Sequence, residues 1–241
     1  MSRTSKTILA ALLFIAPAMF AADHYEHPIH AALTWRGGKV TIDHRFGKLV
    51  LHTTDSAEVN VEGVVRSSDP DFGRQIHFNV SEAGGGITIR TDVPEVHWEG
   101  SLSYSIDIEV RVPARASLSI RNRFGSIDGS GVQAPSEFTN AQGSITLNNL
   151  RGAQRIESSF GSVNVTNSAG DTVIRNANGS VTALHVKGSL DVSDRFGSVH
   201  VEDVDRSLAL RNENGSVEVR DVGGNAMIST SFATSSVSNI R

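Results

Sequence analysis

Gly161-Ser162-Val163-Asn164-Val165-Thr166-Asn167-Ser168-Ala169-Gly170-Asp171-Thr172-Val173-Ile174-Arg175-Asn176-Ala177-Asn178 decides the fold, because it is one copy of a pattern that recurs without insertion. Its opening triplet returns as Gly125-Ser126-Ile127, Gly143-Ser144-Ile145, Gly179-Ser180-Val181, Gly197-Ser198-Val199 and Gly215-Ser216-Val217, always at the same 18-residue interval. A seventh, degraded copy starts near Ala233-Thr234. A fixed period of this length marks a repeat architecture and has to be read first.

The apolar residues fall into columns. Counted from the Gly, position 3 holds Ile127, Ile145, Val163, Val181, Val199 and Val217, and position 5 holds Leu147, Val165, Val201 and Val219. Position 8 holds Val132, Leu150, Val186, Val204 and Val222, broken once by Ser168. Position 14 holds Phe138, Ile156, Ile174, Val192, Leu210 and Ile228. Alternation with polar neighbours at positions 3 and 5 is the period of a half-buried strand. Position 14 marks a second strand, and Gly152, Gly170, Gly188 and Gly224 mark the turn between them. One such unit exposes strand edges and buries too few side chains to stand alone, so neighbouring units must cover it. The expectation is an all-β fold, a β-solenoid or β-helix-like stack of 18-residue strand-turn-strand repeats.

Polar columns run beside the Gly. Ser126, Ser144, Ser162, Ser180, Ser198 and Ser216 follow it, and Asn122, Asn140, Asn176 and Asn212 stand shortly before it, with Ser158, Asp194 and Thr230 substituting. Such residues serve turns by default, and a polar ligand-binding stripe is the functional alternative. Immediately before the Gly, Phe124, Phe160, Phe196 and Phe232 alternate with Gln142, Asn178 and Asn214. An 18-residue coil puts all seven in one column; a coil twice as long, spanning two repeats, separates rings from amides. The cost of burying amides between rings favours the 36-residue coil. The Asn-Gly pairs at 178–179 and 214–215 keep an antiparallel meander or sandwich open, because Asn-Gly favours tight hairpins.

The rest of the chain sets the context. Residues 1–22 read as a secretory signal peptide: Arg3 and Lys6, an apolar run from Ile8, and small residues at Ala18 and Ala22. Residues 23–36 read as a flexible mature N-terminus. Its His24, His27 and His30, with Asp23 and Glu26, could gather a metal ion, but a solvated tract is the preferred reading, and no metal or cofactor is assigned. Residues 37–120 read as an irregular capping part, with alternation at 39–43, 48–52, 58–65, 75–80, 86–91 and 102–112. Residues 121–241 are the regular repeats, and 37–241 form one continuous domain. Arg45-Phe46-Gly47 echoes Arg123-Phe124-Gly125 and Arg195-Phe196-Gly197, which places a diluted repeat early in the chain. The chain has no Cys, which excludes disulfides and a lipidated N-terminal Cys. Loss of Arg3 and Lys6 from 22 basic residues leaves 20 against 26 acidic ones, a net charge of −6 that argues against nucleic acid or anionic lipid as a partner. No further apolar segment anchors the mature chain in a membrane.

Tyr104-Ser105-Ile106-Asp107-Ile108-Glu109-Val110-Arg111-Val112-Pro113, followed by Ala116–Asn122 and the Gly-Ser series, resembles the bacterial putative-adhesin family of β-strand-repeat proteins. The resemblance spans residues 39–241 and implies a β-solenoid-like fold in an exported envelope protein without catalytic residues. That family often carries Gly-Asp where this chain has Gly-Ser. Together these readings give an exported, non-enzymatic binding or structural module that is periplasmic, secreted or at the cell surface. Its ligand is an envelope or extracellular glycan or protein. The alternative is a carbohydrate-active enzyme, which needs converging carboxylates. Its candidates are Asp191, Asp194, Glu202, Asp203, Asp205 and Asp221, with Asp203 and Asp221 stacked at position 7 beside Asn149 and His185.

Overall fold

The computed structural model describes residues 25–95 and 102–241; residues 1–22, which the sequence suggests are a signal peptide, and Asp23 and His24 lie outside them. Strand accounts for 72% of the structure and helix for 2%, which settles the all-β class. The chain opens with β1 (Tyr25–Thr34), β2 (Val40–Phe46), β3 (Leu49–Thr54) and β4 (Glu58–Ser67). A short helix α1 (Pro70–Arg74) then precedes β5 (His77–Ala83), β6 (Gly86–Asp92) and β7 (Tyr104–Pro113). The repeats supply β8 (Leu118–Phe124), β9 (Ile127–Ser130), β10 (Ser136–Gln142), β11 (Ile145–Arg151), β12 (Gln154–Phe160) and β13 (Val163–Ala169). They continue through β14 (Thr172–Asn178), β15 (Val181–Val186), β16 (Leu190–Phe196), β17 (Val199–Val204), β18 (Leu208–Val222) and β19 (Ala226–Ile240).

Each repeat coil up to β17 has two strands, while β18 and β19 each run through the corner as one, and each strand segment pairs in parallel with its counterpart one repeat later. Phe138 lies opposite Ile156, Ile156 opposite Ile174, and Ile174 opposite Val192 on one face. Ile145, Val163, Val181, Val199 and Val217 form the equivalent file on the other. Parallel pairing rules out the meander, whose neighbours run antiparallel. The two faces turn their apolar files inward, where these residues are almost completely buried. The break at Ser168 is matched across the core. Ser168 Oγ lies 2.8 Å from Thr172 Oγ1, so a hydrogen-bonded pair stands where the next two coils have the apolar residues Val186 and Leu190, and Val204 and Leu208.

The register gives an 18-residue coil, one repeat per turn, which corrects the expectation of a coil twice that length. The argument for the longer coil assumed that the column before the Gly is buried. It is not: Phe160 and Phe196 are 56% and 48% exposed, so the amides between them stay in contact with water.

The early residues build the first coils and the cap, in an order that differs from the chain order. The pair β2–β3 stacks directly on β8–β9, with Phe46 opposite Phe124 and Leu49 opposite Ile127. The pair β6–β7 stacks on the far side of β2–β3. The chain therefore lays down β2–β3, leaves through β4, α1 and β5, returns outside it as β6–β7, and crosses back to continue at β8. Two antiparallel additions finish this end: β4 against β7 with β1 outside it, and β5 against β6. Tyr25–Thr34 thus forms an edge strand where the sequence suggests a flexible segment. Its Tyr25, Ile29, Ala31 and Leu33 pack on the core, a period-2 pattern hidden in the sequence by the polar residues between them. His27 and His30 are three apart on this strand and project from opposite faces, so they do not share a ligand sphere.

The corner Gly is the tightest point of the stack. Gly125, Gly143, Gly161, Gly179 and Gly215 all have φ between 117° and 144°. A Cβ placed on Gly161 would lie 2.2 Å from the carbonyl oxygen of Gly143 in the preceding coil. Gly161→Ala is therefore expected to cost on the order of 3 kcal/mol, through left-handed strain and a backbone clash together. Gly84 also has positive φ but stands in open space, and its change to Ala is expected to cost only the left-handed strain, about 1–2 kcal/mol. Urea denaturation of the two variants checks the difference.

Candidate binding ridge at the Gly-Ser corner

Three files run along the corner between the two faces. The first is the residue before the Gly: Phe124, Gln142, Phe160, Asn178, Phe196, Asn214 and Phe232, each opposite the next in strand register. The second is the Gly file itself, and the third is the Ser file. Phe124, Phe160, Phe196 and Phe232 are 38%, 56%, 48% and 81% exposed. Apolar side chains this large and open to solvent, repeated in one line, are unusual on a water-facing surface. Gly stands next to them because only a residue without Cβ lets adjacent corners approach, and the strand-to-turn reversal there swings the preceding side chain outward.

The Asn file lies inside the same corner and holds it shut. Asn140 Nδ2 donates to the carbonyl oxygens of Gly125 and Gly143 at 2.8 and 2.9 Å, so one side chain ties two coils together. Asn176 Nδ2 donates to Gly179 O at 2.8 Å and to Asp194 Oδ1 at 3.1 Å. Asn122 and Asn212 make the equivalent bonds to Gly47 and Gly197. The Asn column is therefore turn chemistry, as its residue type implied, and it leaves the ligand-facing surface to the outer files. His44 takes the same place in the first coil, bonded to Thr91, and burial pushes its pKa down to about 4.

Of the candidate carboxylates, Asp191, Asp194 and Glu202 lie apart from one another, and Asp203, Asp205 and Asp221 share one corner. Asp191 faces outward and accepts two hydrogen bonds from Arg175, at 2.9 and 2.7 Å. Asp194, three residues on, points inward and is buried in the Asn file. Glu202 faces out from the opposite sheet, 3.6 Å from His200. Asp203 and Asp221 sit at the other corner with φ of 61° and 55°. Asn149, Asn167, His185 and Asn239 share that left-handed conformation, which Asn and Asp tolerate best among residues with a Cβ. This column is a second turn ladder. Its side chains pair along the stack: Asn167 to Asn149, His185 to Asp203 at 2.8 Å, and Asn239 to Asp221 at 2.9 Å. Asp203, Asp205 and Asp221 do line a hollow of about 420 Å³ with Asn239 and Arg241. Asp203 and Asp221 are nevertheless each engaged by a different neighbour, one toward each end of the stack. Among the described residues, no group of His, Cys, Asp and Glu is arranged to hold a metal ion.

Strand parity, available in the sequence, separates Asp194 from the other acids. It lies two residues after Val192, so the two share the inward face. Burial raises its pKa from 3.8 to about 6, partly offset by the hydrogen bond from Asn176. The folded protein therefore holds a proton that the unfolded chain has released between about pH 4 and pH 6. Stability falls as pH rises through that window and stays low above it. Asp194→Asn removes this dependence and restores the residue found elsewhere in the file. The variant is expected to be more stable than the parent by roughly 2 kcal/mol at pH 8, and nearly equal to it at pH 4. Denaturant midpoints at the two pH values check this.

No family model and no curated protein matches the chain. Solved structures resemble it at low identity. A putative cell adhesion protein from Clostridium sporogenes is 10% identical, with 90% of this chain and 100% of that one aligned at a TM-score of 0.41. A putative adhesin from Bacteroides fragilis is 11% identical, with 89% and 97% aligned at 0.44. A putative lipid binding protein from Parabacteroides distasonis is 10% identical, with 89% and 97% aligned at 0.45. Among the described residues, no helix is long and apolar enough to cross a membrane.

Proposed function

We propose that this chain is an exported, non-enzymatic binding module of the cell envelope that uses its repeated corner as the contact surface. The observation that carries this reading is the line of solvent-exposed Phe side chains at alternate coils. Burying such side chains against a partner is favourable by roughly 25 cal/mol per Å². Multiplying one modest contact along a rigid stack raises the total without any deep pocket. Engagement of Asp203 by His185 and of Asp221 by Asn239 in a turn ladder supports a binding role over hydrolysis, since glycoside hydrolysis needs two carboxylates free to flank one bond. Residues 1–22 support export, and the acidic balance of the remainder disfavours nucleic acid.

Expression in a bacterial host with fractionation is expected to recover the chain outside the cytoplasm, with its N-terminus close to Asp23. Recovery of the intact chain in the cytoplasm overturns the export reading. Immobilised mature protein is expected to retain a component of glycan arrays or envelope extract, and a Phe160→Ser/Phe196→Ser double variant to lose it. No polysaccharide turnover is expected from the parent. Turnover that disappears in Asp203→Asn would instead establish the enzyme.

A further inference from the structure

We propose that the Phe/amide file is a platform for an extended, β-1,4-linked glycan chain lying along the stack. This rests on the binding reading above and names the ligand class of the same ridge. Coils repeat at the strand spacing, about 4.8 Å, so Phe124, Phe160, Phe196 and Phe232 recur about every 9.6 Å. An extended β-1,4-linked chain turns each pyranose over relative to the last, and its repeat is a disaccharide of closely similar length. One sugar then falls on each coil. Every second sugar lays its C–H face on a Phe ring, and the sugars between lie over Gln142, Asn178 and Asn214.

The side chains fit those roles. An aromatic ring takes the apolar face of a sugar, and a primary amide offers both donor and acceptor to hydroxyl groups. Asn178 donates at 3.3 Å to Ser159 O, leaving its oxygen open as an acceptor, and it stands between two rings. The Ser file runs beside the rings at every coil, with hydroxyls that bridge along the stack, as between Ser216 and Ser198 at 2.9 Å. The side chains of the file itself are uncharged, which suits an uncharged chain, and the Arg195 guanidinium, 5.8 Å from the centre of the Phe196 ring, adds a donor for hydroxyl groups beside it. A lipid surface would call for a continuous apolar band, whereas here each ring is separated from the next by an amide. The alternation stops at the capped end, where Phe46 and Phe124 occupy adjacent coils and stack on each other at 4.6 Å. The platform therefore starts at Phe124.

Isothermal titration of the mature chain with cellohexaose, chitohexaose and maltohexaose tests this. The two β-1,4-linked hexasaccharides are expected to bind, with affinity falling steeply as they are shortened to disaccharides. The α-linked maltohexaose, whose chain coils, is expected not to bind. Phe160→Ser/Phe196→Ser is expected to weaken binding by about tenfold or more. Both side chains are exposed, so circular dichroism and melting should be unchanged and loss of binding cannot be ascribed to misfolding. Asn178→Phe, which fills the gap between two rings, is expected to weaken binding as well. Absence of binding to either β-linked probe, equal binding of maltohexaose, or full binding by the double variant overturns the proposal. So does Phe-dependent binding to phosphatidylglycerol vesicles in place of the glycans. If the glycans fail while envelope extract still yields a Phe-dependent ligand, the binding module stands and only the ligand class falls.

Discussion

Backbone passing over backbone at the corner is the constraint on which the structure depends. Where the chain leaves one face for the other, each corner Gly lies so close to the one below that its missing Cβ would occupy the neighbour's carbonyl oxygen. Ladder hydrogen bonds on both faces require coils to be one strand spacing apart everywhere, including the turn. A side chain on the corner would wedge the turn open and lengthen those bonds in both sheets. The positive φ at most of these glycines is a second reason for the same residue, but the clash is the stricter one. Gly197 shows this, since it lies outside the positive-φ set and still stands 2.0 Å from Gly179 O by the same measure.

Two polar files close the turns around that constraint, one inside and one outside. Asn140 reaches the corner carbonyls of its own coil and the previous one, Asn122 and Asn212 that of the adjoining coil, and Asn176 its own corner and Asp194 of the next coil, so each helps to fasten the stack. Burial without full satisfaction limits this device: the oxygens of Asn122, Asn140, Asn176 and Asn212 have no partner. The amide nitrogens are engaged, so each residue is half compensated for leaving water. Asp194 is the weak point of the file, because its Oδ2 is also unpartnered and the group carries a charge at neutral pH. At the opposite corner, the left-handed Asn and Asp residues make the same turn with side chains in water, where pairing along the stack costs little. The coil thus has a dry corner fastened from within and a wet corner fastened from without. Only the dry corner displaces an adjoining side chain outward into a regular exposed line.

Much of this is legible in the residues. The period, the two strands per unit, the Gly corner and the inward columns follow from side-chain alternation and self-similarity. The strands of residues 39–112 are visible for the same reason, close to where they occur. Coil length is where the columns mislead, because a file of mixed Phe and amide looks like a burial problem until its exposure is known. Asp194 separates from the other acids by its parity with Val192, while Asp203 and Asp221 look alike as a stacked pair in any reading by columns. The strand at Tyr25–Thr34 is hidden because Glu26, His27, Pro28 and His30 resemble a solvated tail, and the strand it pairs with, β4, lies beyond both β2 and β3 in the chain.

By itself the sequence determined that this is a stack of 18-residue β-repeats cornered on Gly, because local periodicity and the lack of a Cβ act within a single repeat. The tertiary structure alone decided the order of the first coils, with β2–β3 set between β6–β7 and β8–β9. It alone decided that Phe and amide share one exposed line. Both are outcomes of pairing between distant segments, and strand periodicity says which way a side chain faces without saying which edge its strand will join.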